Sequence, residues 1–173
     1  MNYSFNKMFT LAEIAKRAAL PIERLRYVID SRILPGLRHL KPGDDASSPG
    51  RGIPRAFTPD EAFALVMIVL MLQGGVRRRA AQACMDLLAA SLVPNSRRSR
   101  DIALIRVLYD EAVVALEIGD GLNVRLVFKE GALKNNSDLP RTWIQPQTRA
   151  TVEKYDPLLV VSINLAKIRN HFK

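Results

Sequence analysis

Residues 10–18 have the pattern of a short amphipathic helix. Thr10 stands three residues before Glu13, the spacing of a capping box in which each side chain bonds the other residue's backbone N–H, so a helix is predicted to begin at Thr10. Lys16 and Arg17 are predicted to face water. The apolar positions recur on one helical face, at Leu11, Ile14, Ala15 and Ala18.

A second short helix is predicted after Pro21, because proline cannot continue the first helix but suits the first turn of another. Two short helices joined by a tight turn are typical of helix-turn-helix modules. The predicted buried face consists of Ile22, Leu25, Ile29 and Ile33. The opposite face consists of Glu23, Arg24, Arg26, Tyr27 and Asp30.

Residues 34–55 show no apolar periodicity and concentrate Pro, Gly, Asp and Ser in the run KPGDDASSPGRG. This composition predicts a loop, or a hairpin with a long tip. A loop of this length in a compact domain is often functional. Its flanks are basic and contain Arg38, His39, Lys41, Arg51 and Arg55.

Two further helices are predicted between residues 58 and 90. Thr58-Pro59-Asp60-Glu61 is a second capping box, which opens a strongly apolar helix that Gly74 and Gly75 end. A helical pattern resumes from Val76 to about Ala90, with an arginine triplet, residues 77–79, in its first turn. The triplet is either a solvated face or a phosphate contact. Cys84 lies on the apolar side and is predicted to be a small buried residue.

The composition changes at residues 91–100, SLVPNSRRSR, which predicts a linker between residues 1–92 and 101–173. After a short helix at 102–109, two strands, 113–118 and 122–128, are predicted around the turn Gly119-Asp120-Gly121. A buried strand at 158–163 and a closing helix at 164–172 follow. The predicted fold class is α+β, with a small mixed α/β C-terminal segment.

The charge is concentrated in the first part of the chain. Of the formal net charge of +9, residues 1–100 contribute +8, from 16 Lys/Arg against 8 Asp/Glu. Such an excess favours a polyanionic partner, foremost a nucleic acid. An anionic membrane surface is disfavoured because the arginines do not gather on one face of a long amphipathic helix.

Other classes of function find little support in the composition. The most apolar stretch, residues 62–72, is too short to span a bilayer, and a single cysteine is typical of a reducing cytoplasm, so a soluble cytoplasmic protein without membrane contact is expected. His39 and His171 are the only histidines, and there is no P-loop, metal-ligand spacing or nucleotide-binding glycine motif. We therefore expect no enzymatic activity, metal or cofactor.

Residues 9–30, FTLAEIAKRAALPIERLRYVID, resemble the opening of mercury-resistance-type (MerR) regulators, with Leu25-Arg26-Tyr27 matching the family's core. The similarity continues in Ile33-Leu34-Pro35, in residues 52–58, GIPRAFT, which resemble the end of the family's wing, and in the paired helices around Gly74-Gly75. It covers about residues 9–90 and implies a winged helix-turn-helix.

This chain departs from the family pattern in several places. Pro21 replaces a capping Ser or Thr, Val28 replaces a second aromatic residue, and an insertion around Asp44 to Gly50 lengthens the wing. The family's metal-binding cysteines are absent. Its long dimerising helix is replaced by the mixed C-terminal segment, so the family's mode of dimerisation does not carry over.

The resemblance implies a sequence-specific transcriptional regulator that binds double-stranded DNA, acts as a homodimer and contacts RNA polymerase. An excisionase-like or architectural DNA-binding protein is the alternative. The second helix would enter the major groove and the wing would reach backbone or minor groove. The implied contacts are Lys16, Arg17, Glu23, Arg24, Arg26 and Tyr27, with Arg38, His39, Arg51 and Arg55 on the wing.

Each implied contact also has a structural interpretation. Arg24 and Arg26 are otherwise solvated helix charges, Tyr27 a residue at the edge of the core, and His39 an ordinary loop histidine. Glu23 either accepts a hydrogen bond from a cytosine amino group or faces water.

Overall fold

A computed structural model describes residues 8–31, 33, 56–90, 111–130, 143–145, 151–152 and 154–172. Within these residues the fold is mixed α+β, as predicted, with five α-helices and two small antiparallel sheets. The elements are β1 (Phe9–Thr10), α1 (Leu11–Ala18), α2 (Ile22–Asp30), β2 (Ala56–Phe57), α3 (Pro59–Gln73), α4 (Arg78–Ala90), β3 (Val113–Gly119), β4 (Val124–Phe128), β5 (Val160–Asn164) and α5 (Leu165–Phe172).

Both predicted capping boxes are present. The N–H of Glu13 donates to Thr10 Oγ1 at 3.2 Å, and the N–H of Thr10 donates to Glu13 Oε2 at 2.7 Å. Thr58 and Glu61 make the same pair of bonds at 3.2 and 2.8 Å. Since these bonds satisfy N–H groups that have no partner within the helix, they define the first residues of α1 and α3.

The turn between α1 and α2 is tight, as predicted. Ala19 ends α1 in the left-handed region, with φ 52° and ψ 44°, and its N–H donates back to carbonyls of the last turn. Pro21 was predicted inside the first turn of α2 but is its N-cap residue, with φ −62°. The chain therefore reverses direction within Ala19, Leu20 and Pro21.

The small sheet joins the starts of two helices. β1 pairs antiparallel with β2, so that Phe9 lies opposite Phe57 and Thr10 opposite Ala56. Both phenylalanines are buried. The strand that precedes α1 is therefore hydrogen-bonded to the strand that precedes α3.

The larger sheet has the order β4-β3-β5, with β3 antiparallel to both neighbours. Leu116 lies opposite Leu126 on one side and Ile163 on the other, and these three side chains are buried. The hairpin around Asp120 confirms the predicted turn, although β4 begins at Val124 rather than at Leu122.

The prediction of a buried strand at residues 158–163 is wrong in part. β5 comprises Val160–Asn164, and only Ile163 of this strand is fully buried. Leu158 and Leu159 are 96% and 67% exposed. The reason is the position of β5 at the edge of the described sheet, where only Val161 and Ile163 turn toward the helices.

α3 is the central helix of the core. Residues 62–69 are all buried, because α2 and α4 pack against this helix together with α5 and β5. Phe172 of α5 meets Phe9 edge-on at 5.4 Å between ring centroids, so buried side chains from both ends of the chain share one cluster. The predicted linker at residues 91–100 and helix at 102–109 lie outside the described residues.

Cys84 is buried in this core, as predicted. Burial raises the pKa of its thiol to about 12. The thiol is therefore protonated at neutral pH and acts as a small apolar side chain.

Candidate nucleic-acid interface

α2 has one face in the core and one in solvent. Leu25 and Val28 are fully buried, as is Ile33 just beyond the helix, whereas Ile22 and Ile29 are half-buried. Val28 thus takes a core position that was not assigned to it from the sequence. The spacing of three between Leu25 and Val28 leaves the opposite face to Glu23, Arg24, Arg26 and Tyr27, all of which are exposed.

The exposed side chains of α2 have no partners within the part of the chain that the structure describes. Glu23, Arg24 and Arg26 form no ion pair or side-chain hydrogen bond there. Tyr27 is 51% exposed. This face consequently presents two guanidinium groups, a carboxylate and a phenol, all able to contact another molecule.

Arg78, the first residue of α4, supports α2 from its C-terminal end. Its Nη2 donates a hydrogen bond to the carbonyl oxygen of Ser31, which follows the last turn of α2. A cation at this end of a helix also interacts favourably with the helix dipole. All three arginines of the triplet are exposed, and Arg78 is held by this bond to Ser31. A phosphate contact by Arg77 or Arg79 stays a prediction.

The two basic residues of α1 differ in their surroundings. Lys16 is exposed. The guanidinium of Arg17 lies 5.0 Å from the centroid of the Phe9 ring, and its Nη1 donates to the carbonyl oxygen of His171 at 3.0 Å. Arg17 therefore connects α1 to the end of α5, an interaction that the sequence did not predict.

The predicted wing contacts, Arg38, His39, Arg51 and Arg55, lie outside the described residues. The chain is described again from Ala56, whose pairing opposite Thr10 brings the residue after Arg55 to the start of α1. The strand at Ala56 and Phe57, which the sequence predicts to follow the wing, thus lies next to the start of α1.

One buried charge was missed from the sequence. Arg169 of α5 is 4% exposed, and its Nη2 donates to the carbonyl oxygen of Val113 at 2.8 Å, at the start of β3. The sequence does not predict this burial, because an arginine in a short amphipathic helix is expected to face solvent. Its contact with Val113 is structural and holds α5 against the sheet.

Among the described residues, no group of three or more His, Cys, Asp or Glu residues is placed to hold a metal ion. None of the helices described has both the length and the apolar character that crossing a membrane requires.

Comparisons with protein-family models, with curated proteins and with solved structures found no match to this chain.

Proposed function

We propose that this protein is a sequence-specific, double-stranded DNA-binding transcriptional regulator of the winged helix-turn-helix class, with α2 as its recognition helix. The observation that carries the proposal is the exposed face of α2. Four polar or aromatic side chains project there without intramolecular partners in the described chain, from a helix whose other face is buried.

A recognition helix must be held firmly while one face stays accessible. Leu25 and Val28 anchor α2 in the core, and Arg78 holds the Ser31 carbonyl at its end. Such support from outside the helix limits its movement against the groove of a duplex. A helix of this diameter fits the major groove, where each base pair presents a distinct pattern of donors and acceptors.

The chemistry of the exposed face suits a duplex. Arginine forms bidentate hydrogen bonds with guanine O6 and N7, and Arg24 and Arg26 are both exposed on α2. Glu23 would repel phosphate, but it can accept a hydrogen bond from a cytosine amino group. The net charge of +8 in residues 1–100 adds attraction to phosphate that does not depend on sequence.

Substitution of the two arginines tests this assignment. Arg24→Ala or Arg26→Ala should weaken binding to a preferred duplex by about 1–3 kcal/mol if that arginine reads guanine, and should relax the preference at one position. The measurement is a fluorescence titration of a preferred and a random duplex. Lys129→Ala, which removes an exposed charge next to β4, is the matched control and should alter neither affinity by a comparable amount.

Arg24 and Arg26 lie two residues apart in α2, so their side chains point in different directions, and base reading by one of them suffices to support the assignment. If both substitutions weaken preferred and random duplexes equally, α2 holds phosphate rather than reading bases. The excisionase-like or architectural function would then replace the regulator.

A further inference from the structure

Residues Leu158, Leu159 and Val160 form an exposed apolar segment, which we call the β5 entry. They are 96%, 67% and 39% exposed and follow one another in the chain. Single exposed apolar residues are common on soluble proteins, but a contiguous apolar patch usually marks an interaction surface.

The backbone of the β5 entry is held in place although its side chains are not packed. The N–H of Leu158 donates to Asp120 Oδ1 at 3.1 Å, and the N–H of Asp120 donates to the carbonyl of Leu159 at 3.2 Å. Tyr155 adds a hydrogen bond to Asp120 Oδ1 at 3.0 Å. A segment that is already ordered loses less conformational entropy when a partner covers it.

Tyr155 is itself fixed from two sides. Its ring meets Trp143 edge-on at 5.0 Å between centroids. It also lies so close to Gly119 that a Cβ at that position would clash with the tyrosine hydroxyl. The absence of a side chain at Gly119 thus allows the contact that orders the β5 entry.

β5 is also an unprotected strand edge in the described part of the chain. Its one strand neighbour there is β3, and an antiparallel ladder turns the backbone groups of alternate residues away from that neighbour. Exposed edge strands usually carry charged side chains that prevent pairing with another strand. Residues 157–164, PLLVVSIN, contain no charged residue. This edge therefore has the properties that favour pairing with another strand.

We propose that the occupant of this edge is a second copy of the same chain. The two β5 strands pair antiparallel across a twofold axis near Ser162, the middle residue of β5, so that the β5 entry of each copy packs against the partner chain. A twofold contact requires a self-complementary surface, and an uncharged strand with an apolar entry is one. Each copy carries a net charge of +9, so two copies associate most favourably through a surface that carries no charge. A nucleic acid would instead require basic groups at the edge.

The proposed contact lies close to the support of α2. Val161 of β5 packs against Gly74, at the end of α3, and Arg78 shortly after that turn reaches Ser31 at the end of α2. Pairing of two β5 strands would therefore set the spacing of two α2 helices. The role of this spacing rests on the proposed DNA binding, whereas the self-association does not.

The test is the mass of the full-length protein in solution without DNA, measured by light scattering and sedimentation velocity over a range of concentrations. The wild type should form a dimer. Leu158→Lys together with Leu159→Lys places two charges in the apolar contact that each copy makes and should reduce the mass by about half. Met8→Lys, at an apolar residue that is 48% exposed elsewhere, is the matched control and should leave the dimer intact.

A cysteine cross-link tests the same contact without weakening it. Because Cys84 is buried, Ser162→Cys provides one accessible thiol at the exposed edge of β5. Mild oxidation should join two Ser162→Cys chains efficiently, whereas Gln82→Cys, an exposed position on α4, should cross-link only slowly.

A monomeric wild type overturns the inference. So does a dimer that persists after Leu158→Lys and Leu159→Lys and that fails to cross-link through Ser162→Cys. Neither result touches the proposed function, because a monomer that still binds a preferred duplex leaves that proposal standing.

Discussion

Ala19 occupies a backbone conformation that favours glycine, with φ 52° and ψ 44° at the end of α1. The conformation allows the chain to reverse before Pro21 and sets the angle between α1 and α2. For a residue with a Cβ, the left-handed region costs about 1–2 kcal/mol. Ala19 thus places strain at the turn that orients the proposed recognition helix.

Ala19→Gly should stabilise the protein. Removal of the left-handed strain outweighs the greater unfolded-state entropy of glycine, about 0.5–1 kcal/mol, so a net gain of up to about 1.5 kcal/mol is expected. Urea denaturation monitored by circular dichroism measures it. Ala18→Gly, one residue earlier in the helix, should instead destabilise by about 0.5–1 kcal/mol. A loss of stability in Ala19→Gly would contradict the strained turn.

Local signals at single residues were the most predictable part of the fold. Each capping box lies within four residues, so Thr10 and Thr58 marked the starts of α1 and α3 from the sequence. The supports of the candidate site were not predictable in this way. Arg78 and Ser31 lie 47 residues apart, and Arg17 and His171 lie 154 apart, so their contacts arise only from tertiary packing.

At the scale of the elements, α3 and β5 approach closely because Gly74 has no side chain. A Cβ built on Gly74 would lie 2.6 Å from Val161 Cγ1. Gly74 was assigned from the sequence as the end of a helix, which is correct, but the close approach of β5 gives it a second role. The apolar run at residues 158–160 was misassigned as buried because composition does not distinguish a central strand from an edge strand.

Gly74→Ala should therefore destabilise the protein by about 1–3 kcal/mol through overpacking against Val161. Addition of Val161→Ala should recover part of this loss, which a double-mutant cycle in urea measures. Gly75→Ala is the control: φ there is 87° and no atom lies within 4 Å of its Cβ position. Its cost comes from backbone strain, so Val161→Ala should not relieve it.

At the scale of the whole molecule, α5 packs on the helices of the proposed DNA-binding module. Phe172 contacts Phe9, and Arg17 donates to the carbonyl of His171. The sequence predicted a boundary at residues 91–100 from composition alone, and composition contains no information about contacts between distant segments. The last helix of the chain therefore contributes to the stability of the first.

Phe172→Ala should destabilise the whole described core by about 3–5 kcal/mol. Trp143, the single tryptophan, reports on the region of the larger sheet through fluorescence, while circular dichroism reports mainly on the helices. The thermal transitions monitored by fluorescence and by circular dichroism should coincide, and Phe172→Ala should shift both to lower temperature. Asn170→Ala, at an exposed residue of α5, is the control and should shift neither. Two separate transitions would show that the parts unfold independently.

The central claim is that the protein recognises a DNA sequence through α2. Its most direct test is selection of bound duplexes from a random library by the purified wild-type protein, followed by titration of the selected duplex at several salt concentrations. We expect an enriched motif, and an affinity for it that exceeds random DNA by about 10³-fold or more and falls steeply with salt. Absence of an enriched motif, with equal binding to all duplexes or with none, would contradict the claim.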